Sequence, residues 1–193
     1  MRMRSAPSVA GPADVRRVRV VRGNDPPAAF SDDGVRIVRG TDRSPHGIGR
    51  PATPGPVIDG DTFLKAGRPV RLHGIDALEL DQDCRSRGQD WPCGQVAATM
   101  LANRLDGRDV TCSERGKNRY GRVVAVCWQG EIDVGAWMVE EGWALADRRY
   151  SRAYVLHERR AQTERRGVWQ GEFVPPWEWR RVTRLPGDLS RGK

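Results

Sequence analysis

Three short segments of the chain combine acidic residues with arginines in a way that could do chemistry. They read IDGDT at residues 58–62, RLHGIDALE at residues 71–79 and RYGR at residues 119–122. Carboxylate oxygens are the ligands that hard divalent cations prefer, and a further carboxylate can orient or deprotonate a water molecule. Guanidinium groups match the geometry of a phosphate. These residue types therefore predict metal-assisted cleavage of a phosphodiester.

The four acidic positions differ in how strongly their surroundings indicate a metal. Asp76 follows an apolar strand end, where a buried carboxylate without a partner would be costly. A cation shared with Asp61 would remove that cost. Asp59, next to a glycine, also fits a solvated Asx turn, and Glu79 also fits one more acid of the loop at residues 79–83. The sequence leaves both interpretations open.

In order and spacing, the three segments resemble the active-site segments of the staphylococcal nuclease (thermonuclease-like) family. The resemblance covers roughly residues 57–169. It implies an α+β, mainly β fold, with a five-stranded OB-fold-type barrel and three helices. It also implies a calcium-dependent (Ca2+) nuclease that cleaves DNA, with RNA left open as a second substrate, to 3′-phosphate and 5′-hydroxyl products.

The resemblance assigns roles to the acidic residues. The calcium ligands would be Asp61, Asp76 and the backbone carbonyl of Ala77, with Asp59 lying behind them without touching the ion. Glu79 would hold or deprotonate the attacking water.

The resemblance also implies which residues contact the substrate. Arg71 and Arg122 would bind the phosphate as negative charge grows on its oxygens during the reaction. Arg119 and Tyr120 resemble residues that hold the phosphate at the end of the substrate. Tyr150 is a looser match to a tyrosine that stacks on the nucleoside.

A second function fits the same fold. OB-type barrels commonly bind single strands without chemistry, and Leu78 stands where the family usually has a proline that would stiffen the approach to Glu79. The residues expected to act on phosphate and water, Arg71, Glu79 and Arg122, are nonetheless present. We therefore expect a nuclease and keep a non-catalytic nucleic-acid-binding module as the alternative.

The basic excess of the chain lies at its two ends. The formal net charge is +8, and residues 1–50 hold 10 arginines against 5 aspartates, whereas residues 180–193 hold 5 basic residues against Asp188. Basic terminal segments bind phosphate backbones weakly and in a salt-dependent way, although solvation of the tails explains them equally well. No run approaches the ~20 apolar residues that span a bilayer. We expect a nucleic-acid partner, no membrane, and a monomer.

The four cysteines lie in two nearby pairs, Cys84 with Cys93 and Cys112 with Cys127. No CxxC spacing indicates a zinc site. Buried free thiols are the expectation for a cytosolic protein. We expect instead a disulfide within each pair, Cys84–Cys93 and Cys112–Cys127, and such bridges indicate an oxidising compartment. Residues 1–15 have a basic start but lack the apolar core of a signal peptide. The localisation stays open between periplasmic or secreted, which the pairs suggest, and cytoplasmic.

The composition divides the chain into three parts. Residues 1–56 are dense in Pro, Gly and Arg, which predicts a basic leader that is disordered or loosely attached. Residues 57–170 hold the thermonuclease-like domain. Residues 171–193 predict an extended segment rich in Trp and Pro, followed by a basic tail. The tryptophans of this segment fit a clamp on the barrel or, alternatively, a nucleic-acid contact.

Apolar periodicity predicts the elements within the domain. Strands are predicted at residues 62–65, 69–74, 109–113 and 123–128. Helices are predicted at residues 94–105, 133–141 and 152–166, and a polar loop at residues 81–92. Pro54 and Pro56 precede the first acidic segment. Because proline cannot donate to a ladder, the first strand must be short, lie at an edge or recruit the leader.

Overall fold

The computed structural model describes residues 54–106, 108–118 and 120–183, together with the backbone of residues 21–22. The predictions for the remaining leader, for Arg119 and for the tail after residue 183 lie outside the described residues. The division of the chain at residues 56 and 170 stays a prediction.

The described residues form short strands and four α-helices. The strands are β1 (Val21–Arg22), β2 (Val57–Asp59), β3 (Thr62–Lys65), β4 (Arg68–Leu72), β5 (Ile75–Ala77), β6 (Cys84–Ser86), β7 (Gln89–Trp91), β8 (Thr111–Lys117), β9 (Val123–Gln129), β10 (Ile132–Asp133), β11 (Ala144–Ala146) and β12 (Glu172–Phe173). The helices are α1 (Cys93–Leu105), α2 (Val134–Glu140), α3 (Val155–Thr163) and α4 (Pro176–Thr183). The predicted α+β class is therefore confirmed, with four helices in the described part of the chain rather than three.

The strands pair in three sheets. The largest has the order β10-β9-β4-β3-β2, with β8 also paired to β9. Within it β4 and β9 are parallel, and the other pairs are antiparallel. The two smaller sheets are β1-β12-β6-β7 and β11-β5. These ladders do not join the described strands into one closed ring, so the five-stranded barrel stays a prediction.

Two sequence signals place the first acidic segment as expected. Strand β2 has three residues and lies at the edge of the largest sheet, which is where the prolines before it allow a strand. Strands β3 and β4 are joined by Ala66 and Gly67, whose φ angles of 50° and 72° form a tight hairpin turn. Asp61 therefore lies immediately before β3, beside β4.

The main core joins the largest sheet to helices α1 and α2. Helix α1 buries one face, because Ala97, Leu101 and Leu105 recur at four-residue spacing. They belong to one buried cluster with Phe63 of β3 and Leu72 of β4. Full burial of such an apolar side chain typically contributes about 1.5–3 kcal/mol. The strands that carry the acidic residues therefore rest on a packed base.

The predicted polar loop at residues 81–92 is wrong, because β6 and β7 pair there as an antiparallel hairpin. Its turn residues, Arg87 and Gly88, have φ angles of 51° and 80°, as two-residue hairpin turns require. Only Cys84 of the two strands is buried, and their polar residues are Arg85, Ser86, Gln89 and Asp90. The hairpin therefore lacks the apolar alternation that indicates a strand in the sequence.

The prediction of an extended segment within residues 171–193 is only partly correct, because Glu172–Phe173 form strand β12 but a helix begins at Pro176. Proline is favoured at the first helical position, where its missing N–H has no intrahelical partner. Glu178 lies in the first turn and Arg180 and Arg181 in the last, and these charges complement the helix dipole. None of the helices in the described ranges has both the length and the apolar character needed to cross a membrane.

Both predicted disulfides are present. Cys112 lies directly opposite Cys127 in the β8–β9 ladder, with a Cα–Cα distance of 4.1 Å. Cys84 of β6 is joined to Cys93 at the first position of α1, with a Cα–Cα distance of 5.5 Å. The first bridge staples two strands of the largest sheet, and the second ties the β6–β7 hairpin to the helix that begins beside Glu79.

We expect the two bridges to contribute differently. Both close short loops, so each should stabilise the fold by roughly 3 kcal/mol at most. Urea unfolding of Cys112→Ala/Cys127→Ala and Cys84→Ala/Cys93→Ala double variants measures this, and only the second pair should also lower activity. Non-reducing peptide mapping checks the pairing in the native protein. Four free thiols in protein from its native compartment would contradict the prediction.

Candidate functional site

Three neighbouring strands bring the predicted acidic residues and Arg71 together. Asp61 precedes β3, and Arg71 of β4 lies opposite Thr62 in the β3–β4 ladder. The Asp61 carbonyl accepts a hydrogen bond from Leu72 N at 2.8 Å, which locks this register. Asp76 lies in the middle of β5, opposite Leu145 of β11.

Arg71 bridges the two buried carboxylates. Its Nη1 donates to Asp61 Oδ1 at 2.5 Å, and its Nη2 donates to Asp76 Oδ1 at 3.0 Å. Asp61 Oδ2 accepts from the backbone N–H of Ala77 at 3.2 Å. Asp61 is 3% exposed and Asp76 is 0% exposed. The predicted metal ligands and one predicted phosphate-binding arginine therefore form a single cluster.

Burial controls the electrostatics of this cluster. It raises the pKa of Asp61 to about 8, and the nearby carboxylates of Asp59 and Asp76 act in the same direction, against Arg71. Burial would lower the pKa of Arg71, but the charges of Asp61 and Asp76 outweigh it and raise that pKa overall. Asp61 therefore lacks full charge compensation, although an arginine contacts it.

The donor set of the cluster fits a hard cation. Asp61 and Asp76 present carboxylate oxygens from adjacent backbone segments, and a carbonyl with water can complete the ligands that calcium accepts. The raised pKa of Asp61 indicates a site where added positive charge would be favourable. Within residues 54–106, 108–118 and 120–183, no group of three His, Cys, Asp or Glu side chains converges as a metal site. The fit therefore rests on two carboxylates and the Ala77 backbone.

Asp59 shapes the turn that carries Asp61. Its Oδ1 accepts a hydrogen bond from the backbone N–H of Asp61 at 3.0 Å, which is the contact of an Asx turn. Gly60 lies between them, and a Cβ on it would come within 2.7 Å of the Ala77 side chain. The turn therefore packs closely onto β5, and only glycine fits at position 60, between Asp59 and Asp61.

The backbone of Glu79 is held by Gln82 and by the start of helix α1. Gln82, which is fully buried, accepts from Glu79 N at 3.2 Å and donates its own backbone N–H to Glu79 O at 2.8 Å. A Cβ on Gly94, at the start of α1, would lie 1.6 Å from Glu79 O. A larger residue at position 94 would therefore displace the loop that follows β5. The loop is fixed in this way without the proline that Leu78 replaces.

The sequence did not single out two arginines that the fold adds to the cluster. Arg180 of α4 donates to both oxygens of Asp76, at 3.0 Å and 2.6 Å, and contacts the Glu79 carboxylate. Arg149 Nη2 lies 3.9 Å from Asp76 Oδ2 and 2.8 Å from Asp147. Arg180 is 104 residues from Asp76 in the sequence, so no local motif could reveal the contact.

None of the described hydrogen bonds of Arg71 and the two buried carboxylates involves Arg122, Tyr120 or Tyr150. Arg122 is half-buried, stands two residues before Val124, the ladder partner of Arg71, and lies 5.6 Å from the ring of Tyr120. Tyr120 is 60% exposed and Tyr150 is 73% exposed, as side chains that contact a substrate would be. The guanidinium of Arg149 lies 5.7 Å from the Tyr150 ring, which joins this tyrosine to the cluster. Arg119 lies outside the described residues.

Comparison with known proteins agrees with this arrangement. The sequence profile of a family described as "Staphylococcal nuclease homologue" matches residues 69–171. This range covers Arg71, Asp76, Glu79 and Arg122, whereas Asp61 lies shortly before it.

Several curated proteins are similar over most of the same region. The succinoglycan biosynthesis protein ExoI of Rhizobium meliloti (strain 1021) is 36% identical over 120 residues, which cover 60% of this chain and 63% of that protein. The chain therefore spans less than two thirds of that relative. A protein of Escherichia coli named "Uncharacterized endonuclease" is 32% identical, over 64% of this chain and 80% of that protein. A protein of the same name from Haemophilus influenzae is 30% identical, over 67% of this chain and 72% of that protein.

Proposed function

The chain belongs to the staphylococcal nuclease homologue family, and from this premise we propose that it is a calcium-dependent nuclease that hydrolyses phosphodiesters of DNA. The family and the relatives named endonucleases support nuclease activity. The observation that carries the finer proposal is the contact of Arg71 with both Asp61 and Asp76, with Glu79 one short loop away. RNA as a second substrate, and 3′-phosphate and 5′-hydroxyl products, belong to the same proposal.

In the proposed reaction, Asp61, Asp76 and the carbonyl of Ala77 hold calcium. A bound calcium ion supplies Lewis-acid polarisation of a phosphoryl oxygen and neutralises charge there. Asp59 keeps Asp61 in place through the hydrogen bond to its backbone N–H. Arg71 then moves its two hydrogen bonds from the carboxylates to the phosphate, which offers the same planar geometry of acceptors.

Glu79 is proposed to orient the attacking water and to accept its proton. Its side chain is 33% exposed, so water reaches it, whereas its backbone is fixed by Gln82. The water adds to phosphorus in line with the leaving oxygen, and the two negative charges that accumulate on the equatorial oxygens are bound by Arg71 and Arg122. The bond between phosphorus and the 5′ oxygen breaks, the 5′ oxygen takes a proton from solvent water, and the phosphate stays on the 3′ side.

Tyr120 and Tyr150 are proposed to bind the substrate outside the reacting phosphate. Both rings are exposed and each lies near an arginine, so a base can stack on a ring while a phosphate meets the guanidinium. Arg119 is proposed to contact the terminal phosphate. The two disulfides favour an oxidising compartment, periplasmic or secreted, over the cytoplasm.

Digestion of single-stranded DNA tests the proposal. Purified protein should degrade the DNA with calcium and stop when a chelator is added. The new ends should be substrates of a 3′-specific phosphatase, and the new 5′ ends should accept phosphate from a kinase without prior dephosphorylation. Full activity in chelator would contradict the metal assignment. Binding without cleavage under all conditions would support the non-catalytic OB-type module instead.

A further inference from the structure

Helix α4 brings a charged side chain into the site from beyond the family match. The match ends at residue 171, whereas α4 begins at Pro176. Arg180 of this helix donates from Nη1 to Asp76 Oδ1 at 3.0 Å and from Nη2 to Asp76 Oδ2 at 2.6 Å. Its Nη1 also contacts the carboxylate of Glu79. A single arginine therefore pairs with Asp76, a proposed metal ligand, and with Glu79, the proposed water-orienting group.

The position of Arg180 is fixed by the packing of its helix. Trp177 packs against the second buried cluster, which includes Leu78 and Phe173. The Trp179 indole N–H donates to Asp81 at 3.3 Å. The Arg180 side chain itself is only 26% exposed. Its contacts with the site are therefore part of a docked helix, unlike those of a mobile surface arginine.

The connection before α4 is tied to the same loop. Gln82 Nε2 donates to the backbone carbonyl of Val174 at 2.6 Å, and Gln82 also holds the backbone of Glu79. The segment from Asp76 to Gln82 therefore contacts the α4 region through four of its residues, Asp76, Glu79, Asp81 and Gln82.

The hydrogen bonds of Asp76 show what Arg180 does to the site. Asp76 Oδ1 accepts from Arg71 Nη2 and from Arg180 Nη1, and Asp76 Oδ2 accepts from Arg180 Nη2. Both oxygens of this proposed metal ligand are therefore engaged by arginines, and Oδ2 is engaged by Arg180. A cation on Asp76 would then lie within a few ångströms of a like charge.

We propose that Arg180 is a built-in competitor of the metal ion, so that α4 sets the affinity of the site for divalent cations. In the metal-free protein Arg180 is the counter-ion of Asp76 and Glu79. Metal binding requires Arg180 to withdraw from at least one oxygen of Asp76. The measured affinity for the metal is therefore the intrinsic affinity multiplied by the fraction of molecules in which Arg180 has withdrawn. This inference rests on the metal site of the proposed function. It adds a residue outside the family match that controls that site.

Calcium titration calorimetry without nucleic acid tests the inference in the full chain. Arg180→Gln should bind calcium roughly tenfold more tightly than the wild type, because the competing charge is gone. Arg181→Gln is the matched control, since it removes the same charge from the next, exposed position of α4 and should leave the affinity unchanged. Arg180→Lys should fall between, because lysine keeps the charge but loses the two-point contact.

Thermal unfolding supplies a second readout. In chelator, Arg180→Gln should melt below the wild type, because Asp76 and Glu79 lose a counter-ion, and calcium should raise its melting temperature by more than it raises that of the wild type. Should Arg180→Gln fail to fold, Arg180→Lys carries both measurements.

The outcomes separate this inference from the proposed function. Equal or weaker calcium binding by the Arg180 variants, with a wild type that binds calcium, would overturn the competitor role and leave the proposed nuclease intact. Absence of calcium binding in the wild type and in every variant would overturn the metal assignment and the competitor role together. Tighter binding by Arg180→Gln, with wild-type affinity in Arg181→Gln, supports the inference.

Discussion

Asp61→Asn should raise the calcium concentration needed for half-maximal nuclease activity by about 10- to 100-fold, which is the typical effect of weakening a metal site. The variant keeps the shape of the side chain but loses the charge, and the site has only two carboxylates. High calcium should restore part of the rate. Because burial raises the pKa of Asp61 to about 8, the metal-free fold at pH 7 should lose little charge and little stability.

Asp59→Asn is the matched control for this result. Asp59 contacts the backbone N–H of Asp61, and asparagine retains an oxygen that can accept the same hydrogen bond, so the calcium dependence should change far less. An unchanged calcium dependence in Asp61→Asn would remove Asp61 from the ligand set.

The affinity of the wild-type protein for calcium should increase as the pH rises towards about 8, because calcium binds the ionised form of Asp61.

Arg71→Lys and Arg122→Lys should each lower kcat on the order of 10²-fold or more, while the protein stays folded. Lysine keeps the positive charge but cannot present two parallel N–H donors to a phosphate. Steady-state kinetics at saturating calcium measures the effect, and thermal unfolding verifies the fold.

Arg68→Lys is the control for the arginine variants, because Arg68 is an exposed residue of the same strand, β4. It should retain wild-type turnover. Wild-type kcat in both Arg71→Lys and Arg122→Lys would exclude the proposed roles and favour a site that binds nucleic acid without cleaving it.

Local sequence patterns predicted those elements whose conformation depends on nearby residues. Strand β3 has the predicted bounds, and α1 and α2 differ from the predictions by about one residue at their ends. Asp133 caps α2 by accepting from Ala136 N at 3.0 Å, as its place before the helix indicates. Cys112 and Cys127 could be paired because equal distances from one turn set the register of two antiparallel strands.

The two failed predictions have different physical causes. Most residues of the β6–β7 hairpin are polar, so it lacks the apolar alternation that marks a half-buried strand. Helix α4 is short and begins at Pro176, directly after another proline, and its stability depends on packing of Trp177 against a distant part of the chain. In α4, tertiary contacts outweigh local preference.

The sequence by itself determined the chemical groups of this protein: two aspartates, one glutamate and two arginines in three segments, whose order and spacing indicate the family. Their spacing follows from short strands and turns, so it is encoded locally. Only the tertiary structure decided what these groups contact. Arg71 bridges Asp61 and Asp76 because β4 pairs with β3 and because the Ala77 N–H of β5 donates to Asp61, and Arg180 reaches Asp76 because α4 packs on the loop after β5. Contacts between residues so far apart in the chain depend on how the elements pack, which no local pattern specifies.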